Sequence, residues 1–173
     1  MFATIYLPNF YLQAALRHQP ELTSKPVGLI DDQDPKPVLI QLNQAAEDAS
    51  VHRGMTPSQG LARYLYLVVK TRLRNQEKTL GELLLQLAFS LAPYVEATAP
   101  GLCTVQFSDR KNVLRNVEGV VKQLSEAGIA AQAGIAPTPD ASLLAAHLAK
   151  PVLQIEDAKD FLASLPIETL VLG

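Results

Sequence analysis

The residues of this chain that could carry out chemistry are few and do not gather into one constellation. Asp31 and Asp32 stand side by side ahead of Asp34-Pro35, and paired carboxylates are the donors that hard divalent cations take. Beside a proline turn such acids read more simply as a solvated loop, so no metal is assigned. His18, His52 and His147 lie far apart, without the spacing that builds a zinc site. The single Cys103 has no partner for an internal disulfide; it reads as a small core residue and suits a reducing, cytoplasmic setting. Lys70, Arg72 and Arg74 alternate, and in an extended chain alternate side chains project to one side. They are the best candidate for a nucleic-acid contact, with Arg110, Lys111 and Arg115 as a weaker second cluster. Nothing points to a nucleophile–base pair or to a bound cofactor.

The bulk properties narrow the field. With 173 residues, 48% of them hydrophobic and 18% charged, the chain suits one ordered domain, or a domain with a small lobe. A net charge of −2 argues against strong nucleic-acid binding by electrostatics alone. No apolar run approaches the roughly 20 residues of a membrane span, and the start lacks the basic and apolar regions of a secretion signal.

The elements that must position these residues follow from periodicity and punctuation. Ala3–Tyr6 is a strand running into Pro8-Asn9, with Asn9 placed to cap a helix carrying Tyr11, Leu12, Ala15 and Leu16. Val27–Ile30 and Val38–Leu42 are strands on either side of the acidic loop, followed by a helix over 44–50. Thr56-Pro57 opens a helix to Arg63, as an N-cap with proline at the first helical position. Leu67-Val68-Val69 is strand-like. The longest helix spans 75–92, with Leu80, Leu83, Leu84, Leu87 and Leu91 at helical spacing. Strands 95–98 and 103–107 flank Pro100-Gly101 as a hairpin. Val113, Val117, Val120, Val121 and Leu124 form the next apolar stripe, closed by Gly128. Strand 129–136, helix 139–149 after Thr138, strand 152–155 and helix 158–165 complete the order. This pattern predicts an α+β fold: a ferredoxin-like antiparallel sheet with helices on one face and a small inserted lobe. Residues 1–24 and 72–165 would form the main domain, 25–71 the lobe, and 166–173 the start of a linker.

Five segments in register resemble the palm and fingers of the Y-family DNA polymerases (the UmuC/DinB type). They are the opening strand with Phe10-Tyr11, the stretch from Asn43 to Met55, Val95–Thr98, Gln132–Ala136 with His147–Pro151, and Leu165–Leu170. The resemblance implies that the main domain is a palm, the lobe a set of fingers, and the linker an approach to a thumb beyond Gly173. It also implies roles by position. Metal-binding carboxylates would be expected at Tyr6, Pro8, Pro100 and Gly101, and none is there. Phe10 and Tyr11 match the aromatic pair whose second member excludes ribose. The tyrosine and arginine that hold a triphosphate fall at Gln44 and Glu47, and only Lys150 keeps its type among phosphate contacts.

This loss pattern is similar to the catalytically inactive ImuB-type proteins of bacterial SOS mutagenesis cassettes. It implies a non-catalytic module of translesion synthesis and DNA repair. Its partners would be a sliding clamp, a RecA-like protein and an error-prone C-family polymerase, with weak DNA contact and no membrane. Two other readings stand beside it. One is an unrelated ferredoxin-like binding domain. The other is an active nucleotidyltransferase with displaced metal ligands among Asp31, Asp32, Glu96 and Asp109.

Overall fold

The computed structural model describes residues 1–171. In chain order its elements are β1 (Phe2–Tyr6), α1 (Phe10–Leu16), β2 (Val27–Ile30), β3 (Gln41–Leu42), α2 (Gln44–Asp48), α3 (Pro57–Arg63) and β4 (Val68–Thr71). They continue with α4 (Arg74–Leu91), β5 (Tyr94–Ala99), β6 (Leu102–Gln106), α5 (Val113–Glu126), β7 (Gln132–Ala136), α6 (Pro139–Leu148), β8 (Val152–Gln154) and α7 (Ala158–Ser164). Two compact units result, Met1–Pro8 with Gly81 onward, and Asn9–Leu80. The boundary falls after Pro8 and within α4, whereas the sequence reading divides the chain after residues 24 and 71 and so leaves α1 with the main sheet.

The first unit is built on a sheet of order β5-β6-β1-β7-β8, antiparallel except for the parallel β7–β8 pair. β1 lies at its centre, hydrogen-bonded to β6 on one edge and to β7 on the other. Ala3 and Ile5 pair with Val105 and Cys103 of β6 and with Ile135 and Ala133 of β7, and all six are fully buried. Each branched aliphatic in this set contributes about 1.5–3 kcal/mol by leaving water. The buried stripe of α5 packs against β7 and β8 on this side. The end of α4 runs beside α5, with Ser90 and Leu91 sharing a groove with Arg115 and Gly119.

Thr4, Thr104 and Gly134 face the other way, under α6. The Thr4 hydroxyl lies 2.9 Å from that of Thr104 and 2.7 Å from that of Ser142 on α6, so this buried polar row is satisfied. At Gly134 a Cβ would come within 2.2 Å of the Ala146 nitrogen and the Ser142 carbonyl oxygen, so α6 rests directly on strand backbone. The α+β class holds, and the end of α4 and the α5 helix line a common groove. The expectation of helices on one face omits α6, whose small residues Ala141, Ser142, Ala145 and Ala146 allow a closer seat on the opposite face.

The second unit has a sheet of order β3-β2-β4, with β2 and β4 parallel. Leu12, Ala15 and Leu16 of α1 pack on Val27 and Leu29. Leu39, Leu42, Ala46, Val51 and Leu67 form a further cluster. Asn43 caps α2 by accepting from the Ala46 N–H at 3.0 Å, and the same oxygen accepts from Val27 N–H at 3.0 Å, tying α2 to β2. Thr56 and Gln59 form the reciprocal capping box of α3.

Three local expectations change. Asn9 does not cap α1: at φ 49° its side chain turns away and its Nδ2 donates to the Leu42 carbonyl at 2.9 Å. The first turn is satisfied from a distance instead, by Gln41 Oε1 accepting the Leu12 N–H at 2.8 Å. The strand expected over 38–42 is reduced to Gln41–Leu42, because the Leu39 backbone bonds to Gly54 and Met55 rather than to a neighbouring strand. β7 begins at Gln132 rather than 129, since the Ile129 N–H closes the end of α5 on the Leu124 carbonyl at 2.8 Å.

Candidate functional site

The positions where carboxylates would be expected meet at one corner of the first unit. Tyr6, the last residue of β1, lies between Leu102 of β6 and Gln132 of β7. The chain then passes through Leu7, whose N–H donates to the Gly101 carbonyl at 2.8 Å. That bond draws the Pro100-Gly101 turn up to the Tyr6–Pro8 segment, and Gly101 supplies the positive φ of 74° that the turn requires. Tyr6, Pro8, Pro100 and Gly101, chosen by position in the sequence, are thus neighbours.

What they offer is not a metal centre. Two-metal phosphoryl chemistry needs carboxylates that clamp both ions and stabilise the entering and leaving oxygens. The side-chain donors at this corner are the phenol of Tyr6 and the imidazole of His147, whose ring lies 4.3 Å from the Tyr6 ring at 52°. Desolvation by burial holds His147 below its ordinary value, favouring the neutral ring. These residues do not fit a pair of divalent ions. Lys150 lies exposed just beyond the end of α6.

In the second unit, Phe10 and Tyr11 start α1 with their rings edge to face at 5.8 Å. The Tyr11 ring is covered by the Arg72 guanidinium, 4.0 Å from its centroid, a cation–π contact. Arg72 is held in turn by Glu77, with Nε donating to Oε1 at 2.9 Å, and by Asp31 at 3.3 Å. Arg74 completes the cluster at 2.8 Å from Asp31 and 3.5 Å from Asp32. Hydrogen bonding to Glu77 raises Arg72 above its ordinary value, and hydrogen bonding to Arg74 lowers Asp31. Asp31 and Asp32 are therefore guanidinium partners in the structure.

The alternation that would align Lys70, Arg72 and Arg74 does not extend that far. β4 ends at Thr71 and α4 begins at Arg74, so only Lys70 stays on the strand, opposite Leu29. Gln44 and Glu47 are exposed on α2, where Gln44 Nε2 donates to Asp48 at 2.8 Å and Glu47 sits in the first turn. Sequence reasoning missed Glu77, Leu102 and Gln41, and it considered His147 only as a zinc ligand and as part of the His147–Pro151 segment, not as the partner of Tyr6. Glu77 alone left a signal, as the first acid after a long basic stretch.

The model of the impB/mucB/samB family matches residues 5–147. The chain belongs to this family. Its fold is shared with solved Y-family DNA polymerases, and no curated protein matches it. The post-insertion binary complex of Dbh DNA polymerase superposes with a TM-score of 0.86 at 16% identity, covering 97% of this chain and 52% of that one. The insertion ternary complex of Dbh gives 0.85 at 15%, covering 97% and 53%. DinB from Sulfolobus solfataricus gives 0.81 at 17%, covering 97% and 52%. This impB/mucB/samB domain therefore spans about half the length of those polymerases. The reading as an unrelated ferredoxin-like domain is set aside by the family match.

Proposed function

We propose that this domain is a non-catalytic, polymerase-like module of a translesion-synthesis complex, of the ImuB type. The observation that carries the proposal is the corner itself. A Tyr6–His147 ring pair and a Pro100-Gly101 turn stand together where two dications would need carboxylates. The alternative with displaced ligands finds little support. Asp31 and Asp32 are engaged by Arg72 and Arg74, and the Asp109 carboxylate accepts the Lys111 N–H in its own loop. Among the described residues no three His, Cys, Asp or Glu side chains gather as metal ligands.

Palm and fingers are our functional reading of the two units, and the partners come by resemblance: a sliding clamp, a RecA-like protein and an error-prone C-family polymerase. DNA contact by this domain is weak and salt-sensitive, because the net charge is −2. No helix among the described residues is long and apolar enough to cross a membrane.

Primer extension with magnesium and with manganese, on the protein at its natural length, tests the catalytic part. We expect no incorporation, and none after Tyr6→Asp, since one carboxylate cannot hold two ions. Extension that follows the purified protein and disappears in Glu96→Gln would overturn the reading. Co-purification of a clamp, a RecA-like protein or a C-family polymerase from the source cell tests the partners.

A further inference from the structure

We infer that the outer edge of β5 is a docking edge for an extended segment of a partner protein, one that carries a basic residue to meet Glu96 and an apolar residue two positions away. β5 closes one side of the five-stranded sheet, and among the described residues it pairs only with β6. Every residue from Tyr94 to Ala99 is exposed except the half-buried Val95. Along an antiparallel edge, alternate residues turn their N–H and C=O groups outward, and an open row of this kind is a template for another strand. The two edges of this sheet differ. β8 is held to three residues, an ordinary protection of an edge. β5, at six residues, is the longest strand of the sheet and contains neither Lys nor Pro. Its register shifts between Ala97 and Ala99, so the regular stretch open to pairing is Tyr94–Ala97.

The face beside that edge selects the occupant. Tyr94 and Glu96 stand opposite Gln106 and Thr104, on the side of the sheet where Thr4 meets α6. α6 rests on β7 and β1 and leaves Tyr94, Glu96 and Gln106 exposed. A cavity of about 350 Å³ opens there, with Phe2, Tyr94, Glu96, Thr104, Gln106 and Pro139 among its walls. Glu96 is the one acid among the described residues that line it, and no Lys, Arg or His does. Charge therefore favours a basic side chain opposite Glu96. Phe2, Tyr94 and Pro139 offer apolar surface to the next residue on the same face, which in a strand is two positions away. Backbone pairing supplies affinity and the alternate side chains supply specificity, as in strand addition to a sheet edge. The proposal concerns binding at β5 alone and stands whether or not the domain catalyses anything.

Fluorescence anisotropy would test it, using the whole chain and three labelled short peptides. The first alternates threonine and valine around a central lysine, the second has glutamate at the centre, and the third is the lysine peptide N-methylated along its backbone. We expect the lysine peptide to bind and to slow amide hydrogen exchange across Tyr94–Ala97. The glutamate peptide should bind about fivefold more weakly, the scale of a cross-strand charge pair. The methylated peptide, with no N–H to pair, should not bind. Glu96→Lys should reverse the order of the first two, and Tyr94→Ala should weaken the lysine peptide by about threefold. Phe89→Ala, at an exposed aromatic that does not line the cavity, should change nothing, and thermal melting of each variant confirms that it folds. Absence of binding up to millimolar peptide, binding of the methylated peptide, or protection that appears elsewhere than on β5 would each overturn the docking edge. Equal affinity for the lysine and glutamate peptides, or no reversal in Glu96→Lys, would overturn the basic partner.

Discussion

The corner around Tyr6 and the cluster around Tyr11 each present an aromatic residue near a chain turn, yet they are stabilised in opposite ways. At Tyr6 the contact is between rings: the His147 imidazole, which burial keeps toward its neutral form, lies against the phenol, and the adjoining turn is proline and glycine. At Tyr11 charge is kept and turned inward, with Arg72, Arg74, Asp31 and Glu77 consuming one another. A site without acids can relax into ordinary packing. A site that keeps its charges must pair them, because an unpartnered buried ion is far more costly than an apolar contact.

The comparison breaks most sharply at Glu77, which is buried to 8% exposure and holds the 21%-exposed Arg72 by hydrogen bonds to both of its oxygens. Glu77→Ala leaves Arg72 with only Asp31 and the Tyr11 ring and should cost about 1–3 kcal/mol, the usual penalty for removing one partner of a hydrogen-bonded group. Urea denaturation followed by circular dichroism measures it. Replacing both partners, as Arg72→Met with Glu77→Leu, should recover most of the loss, since a matched apolar pair leaves no orphan charge. Equal destabilisation by the double variant would show that the cluster matters for its shape rather than its charge.

The first unit breaks by volume instead, where β7 meets α6. Gly134→Ala drives a methyl group into the backbone of α6, where the nearest atoms would lie at 2.2 Å. Backbone cannot swing aside as a side chain can, so the loss should be about 1–3 kcal/mol. It would appear as a lower melting temperature and earlier alkylation of Cys103. That thiol is buried and pushed up to about 12 by desolvation, so it should resist iodoacetamide in the native protein. Rapid labelling of the native chain would contradict this burial.

How far the sequence reaches follows the same division. The corner was named only through the resemblance, which picks out Tyr6, Pro8, Pro100 and Gly101 by position; strand register explains why the first and last of these segments meet. The alternation of Ala3 and Ile5 and the Pro100-Gly101 turn fix which residues meet, and Leu7 then bonds to Gly101. The capping of α3 by Thr56 and of α6 by Thr138 was legible in the residues themselves, since both are local. The charge cluster was not. Asp31 and Arg72 are 41 positions apart, and nothing in alternating basic residues says that two will be claimed by acids from elsewhere. The capping of α1 failed likewise, because Gln41 reaches Leu12 across 29 positions while Asn9 is drawn to Leu42. Local rules named an able residue, and tertiary structure supplied another.

The smallest effect separates the two regions by acid. His147 lies below its ordinary value of 6.5 because burial disfavours the imidazolium. The unfolded chain therefore binds the proton first as pH falls, and the stability that neutral His147 contributes is present above about 6.5 and lost progressively below it. Asp31 responds in a different window. Its carboxyl lies below 3.8 through its hydrogen bond to Arg74, so its contribution is present above that value and lost only as pH falls through the lower folded one. Urea midpoints measured from pH 8 to 3 should show a shallow first decline belonging to the Tyr6 corner, then a separate one to which the Tyr11 cluster contributes. His147→Phe keeps a ring against Tyr6 but cannot titrate, so it should abolish the first decline and leave the second. Asp31→Asn should weaken the second and spare the first. If His147→Phe instead tracks the native protein through the whole upper window, the ring pair is not what makes the acid-free corner sensitive to acid.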